Sequence, residues 1–97
     1  MRKAQSGTSL PQKLKSVTVP AIGIGAVADV ALAADADYAG IDEVLALPAA
    51  ALEANLVVAG AWVSNPATGV VTVRFHAGAV AVAGGAINFL IVALESD

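Results

Sequence analysis

Cysteine is missing from all 97 residues, which removes disulfides and thiolate metal sites and leaves the redox compartment open. A chain this short buries only about 60–65% of its unfolded surface, so without staples its stability is marginal. Histidine occurs once, as His76, and aromatics make up 4% of the chain. With so few rings, a stacking platform for sugars or bases has little to draw on. Cations are nearly missing beyond residue 15, where Arg74 alone faces eight acids (Asp29, Asp35, Asp37, Asp42, Glu43, Glu53, Glu95 and Asp97). A body of that sign excludes the basic face that nucleic-acid binding requires.

Apolar side chains are what the sequence has in plenty. They form 58% of the residues; twenty-three are alanines, but fourteen valines, nine leucines and five isoleucines remain. Such a surplus in a small domain implies exposed apolar surface, and contiguous patches of it mark interfaces. A homo-oligomer is therefore expected, and a trimer in particular. One uncharged run of eighteen residues, Ala77 to Leu94, is long enough to raise the question of a membrane span, but it is interrupted by Gly78, Gly84, Gly85 and Asn88, and Ile87 to Leu94 is only a strand long. A strand is favoured there over a membrane-spanning helix. No apolar core follows the basic N-terminal residues, so no signal peptide is read.

The chain divides by charge. Residues 1–15 hold Arg2, Lys3, Lys13 and Lys15 and no acid, a charge of +4 against −7 on the remainder. Residues 1–14 lack a hydrophobic period and read as an extended N-terminal arm, with the folded domain at 15–97. The arm's candidate partner-binding residues are Arg2, Lys3, Leu10, Lys13, Leu14 and Lys15, the leucines as apolar anchors and the cations facing acidic patches. The arm is expected to lie along a neighbouring subunit or a partner's surface, and its removal to leave the domain folded while weakening attachment.

Six or seven short strands follow. Ser16 to Val19 is stopped by Pro20, and Ala26 to Ala33 sets Ala28, Val30 and Leu32 on one face. Asp35 to Gly40 is a turn, and Ile41 to Leu47 a strand ended by Pro48. Pro48 to Ala54 is the one stretch with helix propensity. In Leu56 to Ser64, simple alternation places Leu56, Val58 and Trp62 together, opposite Val57 and Val63. Asn65-Pro66-Ala67-Thr68-Gly69 is a tight turn with Gly69 left-handed. Val71, Val73 and Phe75 alternate with Thr72, Arg74 and His76, a half-buried strand. A short strand through Val80 and Val82 and a final one over Ala86 to Leu94 complete the pattern. Turns every eight to twelve residues without helical crossovers predict an all-β fold, a small antiparallel sandwich or barrel.

No chemistry-bearing motif emerges. His76 has no hydroxyl and carboxylate placed around it as a triad requires. Asp35 and Asp37 alternate as in a calcium loop but lack the closing glutamate. Adjacent Asp42 and Glu43 face opposite sides of a strand. Gly23-Ile24-Gly25 lacks a third glycine, and the Gly84-Gly85 loop lacks the lysine and hydroxyl of a phosphate loop. Neither catalytic residues, metal ligands nor cofactors are expected.

The order of elements is nonetheless distinctive: a short strand, a proline-glycine link, an acidic turn, VLALPAAALEANLVVAGAWVS, a tight turn, VVTVRFHAGAVAV and a closing INFLIVAL. Over residues 16–94 this resembles small phage structural proteins, head decoration or cement subunits and related head or tail modules. His76 stands where those often carry asparagine. The resemblance implies a β-sandwich of jelly-roll type, oligomeric and not an enzyme. It also implies synthesis in the host cytoplasm and a place on the virion, bound to a major capsid protein on the outer head surface, with neither nucleic acid nor membrane as partner. The alternatives are a carbohydrate- or surface-binding β-sandwich module and a small membrane protein such as a holin.

Overall fold

The computed structural model describes residues 10–96, and they form an all-β protein. Six strands follow in order: β1 (Gln12–Val19), β2 (Val27–Ala31), β3 (Ile41–Pro48), β4 (Leu56–Asn65), β5 (Val70–Ala77) and β6 (Gly85–Ser96). They make two three-stranded antiparallel sheets, β1-β6-β3 and β2-β5-β4. The chain changes sheet at each of its first three connections, stays in place for the β4–β5 hairpin, and returns for β6. Among the described residues the only helical piece is a single 3-10 turn, Ala36–Tyr38.

Alternation explains which side chains enter the core. Val17 and Val19 of β1, Val44 and Ala46 of β3, and Phe89, Ile91 and Ala93 of β6 come from one sheet. Val71, Val73, Phe75 and Ala77 of β5 and Leu56 of β4 come from the other. Both sets join in one cluster, in which Phe75 and Phe89 meet edge to face with centroids 5.7 Å apart. Ala28, Val30 and Leu32 pack on this core from one face, as read from the sequence.

Three expectations need correction. Pro48 to Ala54 is not helical. Seven residues cannot repay helix nucleation, and better partners lie elsewhere: Pro48 pairs with Phe89, and Leu52 packs on the core. In β4 the register shifts between Val58 and Gly60, which reverses the alternation. Val58, Ala61 and Val63 therefore pack inward, and Trp62 turns to the outer face. Of the strand expected at Val80 and Val82, only the bridge between Val82 and Ile22 forms, and Val80 is exposed.

The domain also starts earlier than expected. β1 begins at Gln12, Leu10 packs on the core, and the Pro11 carbonyl accepts from the Ala93 amide at 3.0 Å. Residues 10–14 are thus part of the folded body, and cutting at residue 14 would remove the first three residues of β1. No helix among the described residues is long and apolar enough to cross a membrane.

The tight turn has the geometry its residues suggest. The Asn65 carbonyl accepts from the Gly69 amide at 2.8 Å, and its side chain accepts from the Ala67 amide at 3.2 Å. Gly69 has φ of 78°, and a Cβ there would lie 1.9 Å from the Asp35 carbonyl oxygen. Gly69→Ala is therefore expected to cost about 2–4 kcal/mol, combining left-handed strain with a backbone clash. Urea denaturation checks this, and a loss under about 1 kcal/mol would mean that the two loops are not held together as described.

Candidate interaction surfaces

The acidic turn gathers ion pairs from β1 and backbone hydrogen bonds from the hairpin of the opposite sheet. On β1 the inward positions run Lys13, Lys15, Val17, Val19, so two lysines occupy the core-facing row ahead of two valines. They are neutralised there by the acidic turn. Lys13 Nζ donates to the Asp35 carboxylate at 2.9 Å and pairs with Asp37 at 2.6 Å; Lys15 Nζ donates to the same Asp35 carboxylate. Asp35 also accepts from the Asp37 amide, closing the 3-10 turn. Lys15 further lies 5.7 Å from the centroid of the Tyr38 ring.

Tyr38 is completely buried, and its hydroxyl donates to the Ile91 carbonyl of β6 at 2.6 Å. Around it, Asp35 N donates to the Gly69 carbonyl and Gly40 N to the Pro66 carbonyl. The turn thereby ties β1 and β6 of one sheet to the hairpin of the other. Hydrogen bonds from Lys15, then Lys13, then the Asp37 amide hold the Asp35 carboxyl well below the usual carboxylate range. The Lys13 ammonium is held well above the usual lysine range, by Asp37 first and then Asp35. Burial pushes the Tyr38 phenol up.

These contacts place the expected arm residues. Lys13 and Lys15 are engaged within the chain, and Leu10 lies on the core. Leu14 points the other way and is 63% exposed. Arg2 and Lys3 lie outside the described residues. Asp35 and Asp37, weighed as calcium ligands, have lysines as partners. Among the described residues no group of three or more histidines, aspartates and glutamates could hold a metal ion.

Leu14 belongs to a larger surface. Across the outer face of the first sheet the register sets Leu14 beside Leu90 and Leu90 beside Leu47. In the neighbouring row Gln12 lies beside Val92 and Val92 beside Leu45. Leu45, Leu47 and Leu94 are 45%, 41% and 43% exposed, and Leu90 and Val92 are half-buried. A band of leucines thus crosses all three strands on the side away from the core. The part from β1 is not legible as a sheet face in the sequence, because residues 1–14 read as an extended arm with Leu14 as one of its anchors, not as a residue of a strand.

The outer face of the second sheet is polar at its centre. Arg74 makes a two-point ion pair with Asp29 at 2.8 and 3.0 Å, and its guanidinium lies 5.1 Å from the Trp62 ring centroid. His76 is half-buried in the same face, between Val27 and Val57 in register. One cavity of about 220 Å³ lies beside Glu53, Leu56 and Gly84, with the Glu53 carboxylate accepting from the Ala83 and Gly84 amides. A second, of about 320 Å³, lies along β2 between Val30 to Ala34 and Lys15, Ser16 and Thr18 of β1.

Comparison with known protein families, curated proteins and solved structures finds no match.

Because the Asp35 carboxyl is depressed on folding, the unfolded chain binds its proton more readily. Its contribution is present above the ordinary aspartate pKa of about 3.9 and is lost as pH falls below that. Asp35→Asn is expected to lower stability at pH 7 by about 1–2 kcal/mol, the range for hydrogen bonds to charged groups after solvent screening. It should also flatten the loss of stability between pH 5 and pH 2. Urea titrations across that range decide; an unchanged acid slope would remove Asp35 as the group responsible.

Proposed function

We propose that this chain is a non-catalytic structural subunit that works by covering and joining other protein surfaces, in the manner of a phage capsid decoration subunit on the outer face of a head. The observation that carries the reading is the leucine band on the first sheet. Leu14, Leu45, Leu47 and Leu94 are all more than 40% exposed on one face of a 97-residue protein. An apolar face of this kind is characteristic of an interface.

Strand order supports the architectural part. β1 pairs with the last strand, β6, and β2 with β5, while β3 and β4 lie on the far sides of β6 and β5. First-with-last, second-with-fifth nesting is what results when an antiparallel ribbon is wrapped into two layers. We read the fold as a sandwich of jelly-roll type with six strands where the usual form has eight. On this reading the protein is a homo-oligomer in which the leucine band meets the capsid, and no cofactor takes part.

Outward leucines can be changed without entering the core. Leu14→Glu combined with Leu47→Glu is expected to keep the melting temperature within a few degrees while reducing co-sedimentation with phage capsids at least tenfold. Tight binding by the double variant would detach the leucine band from this function.

A further inference from the structure

The two sheets leave four strands at their edges: β1 and β3 in one, β2 and β4 in the other. An edge strand offers unpaired amides and carbonyls to any other chain, and proteins blunt such edges with charges, proline or bulges. Three of the four carry these devices. β1 has Lys13 and Lys15 pointing inward. β3 has register shifts between Ile41 and Val44 and ends in Pro48. β4 has shifts between Val58 and Gly60 and between Val63 and Asn65.

β2 has neither shift nor proline nor lysine. Its ladder with β5 is extended at both ends, since the Ala77 amide donates to the Ala26 carbonyl and the Leu32 amide to the Val71 carbonyl. With the even-numbered residues bonded to β5, antiparallel geometry turns the amides and carbonyls of Val27, Asp29 and Ala31 away from the sheet. The one charge on the strand, Asp29, is already paired with Arg74.

We propose that the β2 edge joins two copies of this chain, pairing antiparallel about a two-fold axis at Val30 and merging two sheets into one of six strands. An antiparallel edge complements itself, so one patch serves both copies. This register sets Val30 against Val30 of the second copy, Ala28 against Leu32 and Asp29 against Ala31. Small then meets large, and no like charges are opposed. Centring on Asp29 would instead set two carboxylates opposite each other, which is destabilising. The cavity of about 320 Å³ beside Val30, Ala31 and Leu32 gives the second copy's Val30 and Leu32 somewhere to pack. The inference rests on the oligomeric part of the proposed function and replaces the expected trimer with a two-fold pair.

Hydrogen exchange on the full chain tests it directly. At concentrations where sedimentation gives a dimer, the amides of Val27, Asp29 and Ala31 should exchange at least tenfold more slowly than on dilution to monomer. Ala31→Pro removes a donor that β5 does not use and should give a folded monomer; Ala31→Lys, which blunts the edge by charge, serves if proline disturbs the strand. An oligomer in which those three amides exchange freely, or which persists in the folded variants, overturns the β2 edge but leaves the oligomeric reading standing. A wild-type monomer at hundreds of micromolar overturns both.

Discussion

Asp35 decides how the first strand sits. Along β1 a lysine, a leucine and a lysine occupy positions 13, 14 and 15, and the pleat sends the lysines inward and the leucine out. At these three positions alone hydrophobicity would choose the opposite arrangement, but a one-residue slip against β6 would also turn Val17 and Val19 out of the core. Asp35 opposes that slip by accepting from both ammonium groups, and Asp37 adds a third contact. The Lys15–Asp35 pair, with side chains 26% and 16% exposed, is screened less than a surface ion pair, whereas Asp37, 64% exposed, adds less.

Register in β1 then propagates. Tyr38, three residues after Asp35, occupies the interior and must find an acceptor for its hydroxyl, since an unpaired one would cost about 1–3 kcal/mol. Its acceptor is the Ile91 carbonyl on β6, the strand that β1 pairs with. Gly69 and Pro66 of the opposite hairpin are bonded to the same turn. A chain that crosses between sheets at each early connection has few local contacts to hold its layers together, and this turn supplies the tie.

How much of this was legible follows from the range of each signal. β5 could be read residue by residue, because its alternation is unbroken and a strong turn precedes it. β2 is legible through the alternation of Ala28, Val30 and Leu32, whereas β6, apolar on both faces, shows its presence but not which face is buried. Simple alternation puts Trp62 on the wrong face because a bulge depends on the partner strand, and Gly60 beside it is its one local mark. The helix propensity of Pro48 to Ala54 was real but lost to tertiary partners, with Glu53 bonded to the Ala83 and Gly84 amides thirty residues away. Lys13 and Lys15 looked like part of a free arm because their acids lie twenty or more residues on, beyond any local pattern. The depressed carboxyl at Asp35 was invisible for the same reason.

Charge and apolar surface then divide the work between them. Within residues 10–96 the cations are Lys13, Lys15 and Arg74, and all three are matched to Asp35, Asp37 and Asp29. Cations held in this way have little left to offer an external acidic partner, so the proposed function rests on the leucine band and not on charge. Leu14 ties the two together: the ion pairs that draw the lysines inward also hold that leucine outward. A protein selected only for solubility would gain by reversing the three residues. Keeping them costs an exposed leucine on a small domain, and on the proposed function burial of the band against another protein offsets that cost.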